Sequence, residues 1–282
     1  MYRIIHKRKL NDTVTWMEIE APLIAEKARP GQFIILRTDA DGERIPLTIA
    51  GTDRTAGTVT IIFQIVGATT LRLNQLDEGD ELQDFVGPLG RPTEIEGLKN
   101  VCVVGGGVGC AIAMPVAQAL HAAGAKVTSI IGFRTRELVI LEEEFRACSD
   151  GVTVMCDDGS YGRQGNVTVP LKEMLEAGER FDCVIAIGPL VMMKYVVKTA
   201  EPYRIPVTVS MNPIMIDGTG MCGGCRLTLI QDGKRVMKFA CVDGPDFIGY
   251  EVDFDEAMIR NRMYAKEERK AYEEACHLFG GM

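Results

Sequence analysis

The sequence predicts a multidomain protein of mixed α+β and α/β class: an antiparallel β-barrel, a parallel-sheet Rossmann-like domain, and a small C-terminal domain. Three observations carry this. The first hundred or so residues read as short β-branched runs punctuated by Gly and Pro. From residue 99 apolar strands alternate with helical stretches. Past residue 210 the chain becomes Gly- and Cys-rich around DGTGMCGGC, Asp217 to Cys225. The expected domains are 1–98, 99–210 and 211–282, a division that 282 residues accommodate.

In the first domain the strand-like runs are TVTWMEIEA, QFIILRT, IPLTIAG and TVTIIFQIV, with turns at Pro30-Gly31, Asp41-Gly42 and Gly57. Their spacing predicts a small antiparallel barrel. A short helix is expected at ATTLRLNQL. Arg44-Ile45-Pro46-Leu47-Thr48 places an Arg just before a strand, where its forked guanidinium can grip a diphosphate, although a lone Arg at a strand end is more commonly a surface residue. Gly67-Ala68-Thr69-Thr70 offers a second anion site at a helix start, and Gly87-Pro88-Leu89-Gly90 predicts a tight closing turn.

The second domain opens with VCVVGGGVGCAIAMPVAQAL, a strand, a glycine cluster and a helix. Glycines at Gly105, Gly106, Gly107 and Gly109, around Val108, let backbone approach a pyrophosphate at the helix N-terminus. Two more loops follow parallel strands: Asp157-Asp158-Gly159-Ser160-Tyr161-Gly162 after VTVMC, and Gly188-Pro189-Leu190-Val191-Met192 after CVIAIG. Ligands of open parallel sheets sit at the carboxyl ends of strands, so the three loops describe one cleft. For one of the two aspartates, plain turn chemistry is the simpler reading. Arg134 and Arg136 can grip a 2′-phosphate or stand solvated.

The third domain spaces Cys222 and Cys225 as C-x2-C, with Cys241 after a two-strand segment, RLTLIQDGKRVMKFAC. Asp217 stands four intervening residues before Cys222. Three thiolates and a carboxylate suit an iron–sulfur cluster; a structural zinc, or no metal at all, stays open on spacing alone. The remaining cysteines, Cys102 and Cys183 above all, read as small core residues. A charged helix is expected from about Asp255, with Asp255 and Glu256 at its cap and first turn.

Composition excludes several classes. Net charge is −8, with no basic stripe, which argues against nucleic acid. Val101 to Ala125 lacks charges but is broken by glycines and Pro115, which fits strand–turn–helix and not a membrane span. The N-terminus is charged and no secretory signal, so a cytoplasmic location with reduced thiols is expected.

Together these motifs resemble the ferredoxin–NADP reductase superfamily, in which a flavin barrel carries R-x-P-L-[ST] and then G-x-x-[ST], and the nicotinamide domain carries a Gly-rich first turn and a late G-P-x-x-M. The resemblance implies FAD on Arg44, Pro46, Leu47, Thr48, Gln64, Val66, Gly67, Thr69, Thr70, Gly87, Pro88 and Gly90. It implies NAD(H) on Gly105, Gly106, Gly107, Val108, Gly109, Asp157, Asp158, Gly159, Ser160, Tyr161, Gly188, Pro189 and Met192. The C-terminal pattern is similar to two groups with a 2Fe–2S cluster. One is the dihydroorotate dehydrogenase electron-transfer subunit, with C-x4-C-x2-C and a later C. Asp217 replaces the first of those cysteines here. That departure, with NPIMIDGTGMCGGC and FACVDGP, resembles the small subunit of NADH-dependent reduced ferredoxin:NADP oxidoreductase, the sulfide dehydrogenase-like group.

This resemblance implies cluster ligation by Asp217, Cys222, Cys225 and Cys241, and a place in flavin-based electron bifurcation. It implies a partner: a larger FAD and 4Fe–4S subunit, similar to the glutamate synthase small subunit, with ferredoxin reached through it. No acid or nucleophile is needed, and Thr48, beside the flavin ring, stands nearest to a catalytic residue. GCAIAMP departs from the superfamily's usual small-residue run ending Ala-Pro, which leaves Cys110 without an assigned contact. Other classes remain: a standalone flavin reductase, or a non-catalytic nucleotide module with a zinc site.

Overall fold

In the computed structural model, which describes residues 2–278, the uncharged run 101–125 is accounted for by burial on two sides. Strand β8 (Asn100–Gly106) lies inside a parallel sheet, and helix α3 (Gly109–Ala122) is packed between that sheet and the first domain. Cys110, Ala113, Val116, Ala117 and Leu120 of α3 share one core with Val14, Ala50 and Ile62. No helix among the described residues is long and apolar enough to cross a membrane.

The first domain is a seven-stranded antiparallel sheet. Its strands are β1 (Tyr2–Lys9), β2 (Val14–Glu20), β3 (Phe33–Arg37), β4 (Ile45–Asp53), β5 (Thr58–Gln64), β6 (Glu81–Leu82) and β7 (Asp84–Leu89). The order β6-β1-β2-β5-β4-β3-β7 leaves its two edges on consecutive strands, so the sheet is a nearly closed barrel. Ile4, Met17, Ile19, Ile34, Leu36, Ile61, Phe63 and Phe85 fill its interior. Two helices interrupt it, α1 (Pro22–Lys27) and the expected α2 (Ala68–Gln75). Gly87-Pro88-Leu89 differs from the expected tight turn: these residues lie in β7, and the chain turns at Gly90, φ +73°.

The second sheet joins β8 to β9 (Lys126–Phe133), β10 (Gly151–Cys156), β11 (Arg163–Gln164), β12 (Cys183–Ile187) and β13 (Val207–Ser210), all parallel. Helices α4 (Glu142–Ala147), α5 (Thr168–Glu176) and α6 (Leu190–Ala200) complete the βα units. With helices on both faces its central strands are buried throughout, Cys102 and Cys183 included.

The C-terminal segment holds the hairpin of β14 (Arg226–Gln231) and β15 (Lys234–Phe239), then the short α7 (Ala240–Asp243). It then returns to the second sheet: β16 (Asp246–Ile248) pairs antiparallel with β13, across the boundary expected at 210. The terminal helix is two helices, α8 (Phe254–Arg260) and α9 (Ala265–Leu278). Asp253, and not Asp255, caps α8 by accepting from Glu256 N at 3.0 Å. Helix α9 packs back on the barrel, where Ala275 joins Ile65 and Leu71.

Candidate functional site

The order of the second sheet, β11-β10-β9-β8-β12-β13-β16, reverses between β8 and β12. That switch point opens a crevice at the strands' carboxyl ends. The loop 105–109 leaves β8 there and the loop 188–192 leaves β12. They interlock so closely that only glycine fits. A Cβ on Gly109 would lie 2.5 Å from Ile187 O and 2.8 Å from Gly188 Cα. A Cβ on Gly188 would lie 2.8 Å from Met192 Cε and 3.1 Å from Gly106 Cα, and one on Gly106 would collide with Met192 Sδ. Gly107 differs: at φ +55° its Cβ would meet nothing within 4 Å. The free space therefore lies on the outer side of this turn, where a phosphate would approach the first N–H groups of α3.

Asp157 to Tyr161 stand two strands away, at the end of β10. Asp158 is spent on its own turn, accepting from Ser160 N at 2.9 Å and Ser160 Oγ at 2.7 Å, which holds its carboxyl below the usual range. Ser160 Oγ in turn accepts from Arg136 N at 2.8 Å. The Arg136 guanidinium lies 5.4 Å from the Tyr161 ring centroid, and Tyr161 Oη donates to Glu142 Oε1 at 3.3 Å. Arg134 and Asp157 are exposed.

On the barrel, Arg44 precedes β4, and Pro46, Leu47 and Thr48 are half-buried along it. Thr48 pairs with Phe33 on β3, whose side chain belongs to the core of the second domain. Thr48 therefore faces the junction of the two domains. Arg44 Nη2 lies 3.6 Å from Asp84 Oδ2, which also accepts from Arg37 Nε at 2.8 Å. At the start of α2, Thr70 Oγ1 accepts from Val66 N at 3.0 Å and Gly67 N at 3.1 Å, capping its own helix, and Thr69 Oγ1 donates to Glu43 Oε2 at 2.9 Å. Gly67 is extended, a conformation open to any residue, yet a Cβ there would meet nothing within 4 Å. Gln64 is half-buried and Val66 is 71% exposed beside this loop. An exposed apolar side chain, an open glycine and a helix N-terminus fit the edge and diphosphate of a flavin nucleotide.

The loop 217–225 is built on glycines in the left-handed region: Gly218 at φ +73°, Gly220 at +85° and Gly223 at +66°. The four candidate donors fall into two pairs. Cys225 and Cys241 are buried, with their sulfurs 3.2 Å apart. Asp217 Oδ2 accepts from Cys222 N at 2.7 Å, its Oδ1 from Thr219 N at 2.8 Å, and Cys222 is exposed. Those backbone donors, Thr219 first, hold the Asp217 carboxyl below the usual range, whereas burial and the neighbouring Cys225 push the Cys241 thiol up to about 12. Gly224 N donates to Cys222 Sγ at 3.4 Å and Cys241 N to Cys225 Sγ at 3.5 Å. Among the described residues no three His, Cys, Asp or Glu converge as around one ion. Two donor pairs whose thiols become thiolates on binding metal, with N–H groups turned to sulfur, fit a two-iron cluster.

Several residues at these sites carry no local signal in the sequence. Asp84 and Glu43 matter only because the barrel brings them to Arg44 and Thr69, and Glu142 only because α4 brings it to Tyr161.

A flavin-type barrel, a switch-point crevice and a cysteine-rich third segment define a ferredoxin-reductase-type oxidoreductase with an iron–sulfur region appended. The Amycolatopsis cytochrome P450 reductase shares the fold, at TM-score 0.61 and 20% identity over 72% of this chain and 66% of that one. Residues 212–253 match the iron–sulfur cluster binding domain of dihydroorotate dehydrogenase B. The chain belongs to the family of dihydroorotate dehydrogenase B electron-transfer subunits and their homologues. Its Thermotoga maritima homologue is 45% identical, covering 96% of this chain and 94% of that one, and the Streptococcus pneumoniae R6 subunit is 32% identical over 87% and 94%. A solved NADH-dependent reduced ferredoxin-NADP oxidoreductase, described for flavin-based electron bifurcation, superposes at TM-score 0.90 with 44% identity over 97% of both chains.

Proposed function

We propose that this chain is the electron-transfer subunit of a bifurcating oxidoreductase, passing electrons between a partner subunit, its own 2Fe–2S cluster and FAD, and NAD(H). The observation that carries this reading is the seat of the cysteine loop on the barrel. A Cβ on Gly218 would lie 2.7 Å from Leu89 Cδ1 and 3.0 Å from Ile35 Cγ1. Ile35 pairs with Pro46, inside the candidate flavin strand. The cluster loop and the flavin strand are thus one strand apart, while Thr48 on that strand faces the nucleotide domain.

When bound, FAD exchanges a hydride with nicotinamide and single electrons with an iron–sulfur cluster. The chain's own residues position and neutralise. Arg44 and the first N–H groups of α2 would hold the diphosphate, and Thr48 would offer a hydroxyl to the ring. The interlocked loops 105–109 and 188–192 hold the nucleotide crevice open on one side only. Asp217, Cys222, Cys225 and Cys241 would hold the cluster, in the two pairs the loop already forms. A carboxylate is a harder ligand than a thiolate, so Asp217 would favour the ferric state of the iron it holds.

The partner side of this reading rests on exposure. Met221 is 89% exposed, Ile216 54% and Val242 43%, all around the exposed Cys222. An apolar face at a redox centre suits docking of a second subunit. The partner in this reading is a larger FAD and 4Fe–4S protein, and NADPH, NAD+ and ferredoxin are the overall reactants. The test is NAD+ reduction by NADPH in the native complex, with and without ferredoxin. Coupling that requires ferredoxin supports bifurcation; reduction by dihydroorotate instead would assign the chain to a dihydroorotate dehydrogenase complex.

A further inference from the structure

The segment leaving Cys241 runs Val242-Asp243-Gly244-Pro245-Asp246 into β16 and is tied down at every step. Arg91 N donates to Gly244 O at 2.6 Å, Arg91 Nε to Val242 O at 3.1 Å, and Met211 N to Pro245 O at 2.9 Å. Asp246 then pairs with Ser210 at the end of β13. Its Oδ2 accepts from Thr93 Oγ1 at 2.6 Å. Thr93 is itself clamped on the barrel: its N donates to Pro30 O at 2.9 Å, and any Cβ on Gly31, φ +86°, would collide with its hydroxyl. Barrel, sheet edge and cysteine arm therefore meet on one carboxyl group.

That carboxyl is incompletely satisfied. Asp246 Oδ1 is out of solvent and has no hydrogen-bond partner. The Ser210 hydroxyl is near enough to favour the charged form but not within bonding geometry of Oδ1, and burial outweighs it and Thr93, pushing the carboxyl up. The other titratable groups nearby are Cys183 on β12, Arg91, whose Nε is engaged as above, and Asp243, which is paired with Lys238 at 3.3 Å. Among the described residues no Lys, Arg or His forms an ion pair with Asp246. An isolated carboxylate in such a place is relieved by a proton.

We propose that Asp246 is a proton-binding positioning residue for the iron–sulfur site, taking up one solvent proton as that site gains one electron. The proposal rests on the cluster assignment above. Both arms of the donor set leave this junction: Met211 begins the run to Asp217, Cys222 and Cys225, and Gly244 follows Cys241. An electron added at the end of these arms adds negative charge, which disfavours a second negative charge on the junction that anchors them. The electron comes from the site's donor and the proton from water, so net charge at the junction is conserved. The proton taken up on reduction keeps the junction, and the cysteine arm anchored there, free of a second added charge.

The test is a potentiometric titration of the holoprotein, followed by EPR, from about pH 5 to about pH 9, a range that covers buried carboxyls. In the wild type the potential is expected to fall as pH rises, approaching a tenfold shift per pH unit, or ~59 mV for one electron. Asp246→Asn, neutral at every pH and of the same shape, is expected to be flat. Equal slopes in both proteins, or none in the wild type, overturn the proposal. A second measurement guards against a variant that is merely unstable. A native state that binds an extra proton loses stability as pH climbs from the unfolded carboxyl value, about 3.9, through the folded one. The Tm advantage of Asp246→Asn should therefore grow with pH; a constant difference overturns the proposal. A wild-type protein with no reducible cluster signal overturns the functional reading instead, and shows it before any variant is made.

Discussion

The nucleotide crevice and the cysteine loop are both written in glycine, with backbone handedness added to close packing in the second. In the crevice, Gly106, Gly109 and Gly188 are required by protein packed against protein. In the cysteine loop, Gly218, Gly220 and Gly223 are all required by backbone handedness; Gly218 and Gly220 also pack against Leu89 and Val242, while the side chains beside them, Met221 and Cys222, are exposed. The first site is shaped by its own packing; the second takes its stability from what it binds. Gly67 belongs to neither class, since nothing in the chain demands a glycine there.

The comparison can be broken most severely at the cluster. Cys225→Ser should abolish the cluster altogether while FAD stays bound, seen as loss of the EPR signal with flavin absorption intact. Asp217→Ala should lose or destabilise the cluster, again with FAD retained, whereas Asp217→Cys should keep a cluster of changed potential. Unaltered EPR spectra in both Asp217 variants would remove it from the ligand set. Next comes the packed crevice. Gly109→Ala forces a Cβ against Ile187 O. It should cost about 1–3 kcal/mol in urea unfolding and block flavin reduction by NADH, without touching the cluster signal. A smaller effect is expected at Thr48→Ala: loss of one hydrogen bond of about 1 kcal/mol should slow flavin reduction by up to roughly tenfold in stopped-flow. The smallest structural effect is at Gly67→Ala, where unfolding should shift by no more than about 0.5 kcal/mol while FAD content of the purified protein falls. A stable variant that keeps its FAD would show that Gly67 does not lie against the cofactor.

What the sequence made legible was whatever local pattern encodes. The strand–glycine–helix run at 100–122 is contiguous, and its burial, turn and helix all follow from neighbours in the chain. The order of the three segments was legible for the same reason. What escaped depends on long-range company. Strand β16 is three residues long and becomes a strand only because β13 offers an open edge. The split between α8 and α9 follows a run of charged and exposed residues, 261–270, that propensity alone reads as one helix. Asp253 outranks Asp255 as a cap because its backbone stands outside the helix, with φ −76° and ψ 83°. Thr70 and Asp158, expected as ligand contacts, also hold their own turns, as the sequence reading allowed for one of the two aspartates. Asp246 carried no signal at all, since its isolation is made by Thr93, Ser210 and burial.

The central claim is that one chain places FAD, NAD(H) and a 2Fe–2S cluster within electron-transfer reach of one another. It is tested most directly by adding NADH to the anaerobic, purified protein and following visible absorption and EPR together. The expected result is bleaching of the flavin bands by NADH, with electrons then appearing in a reduced two-iron signal. A flavin that NADH reduces beside a cluster that only dithionite reaches, or a dithionite-reduced protein without any two-iron signal, would contradict it.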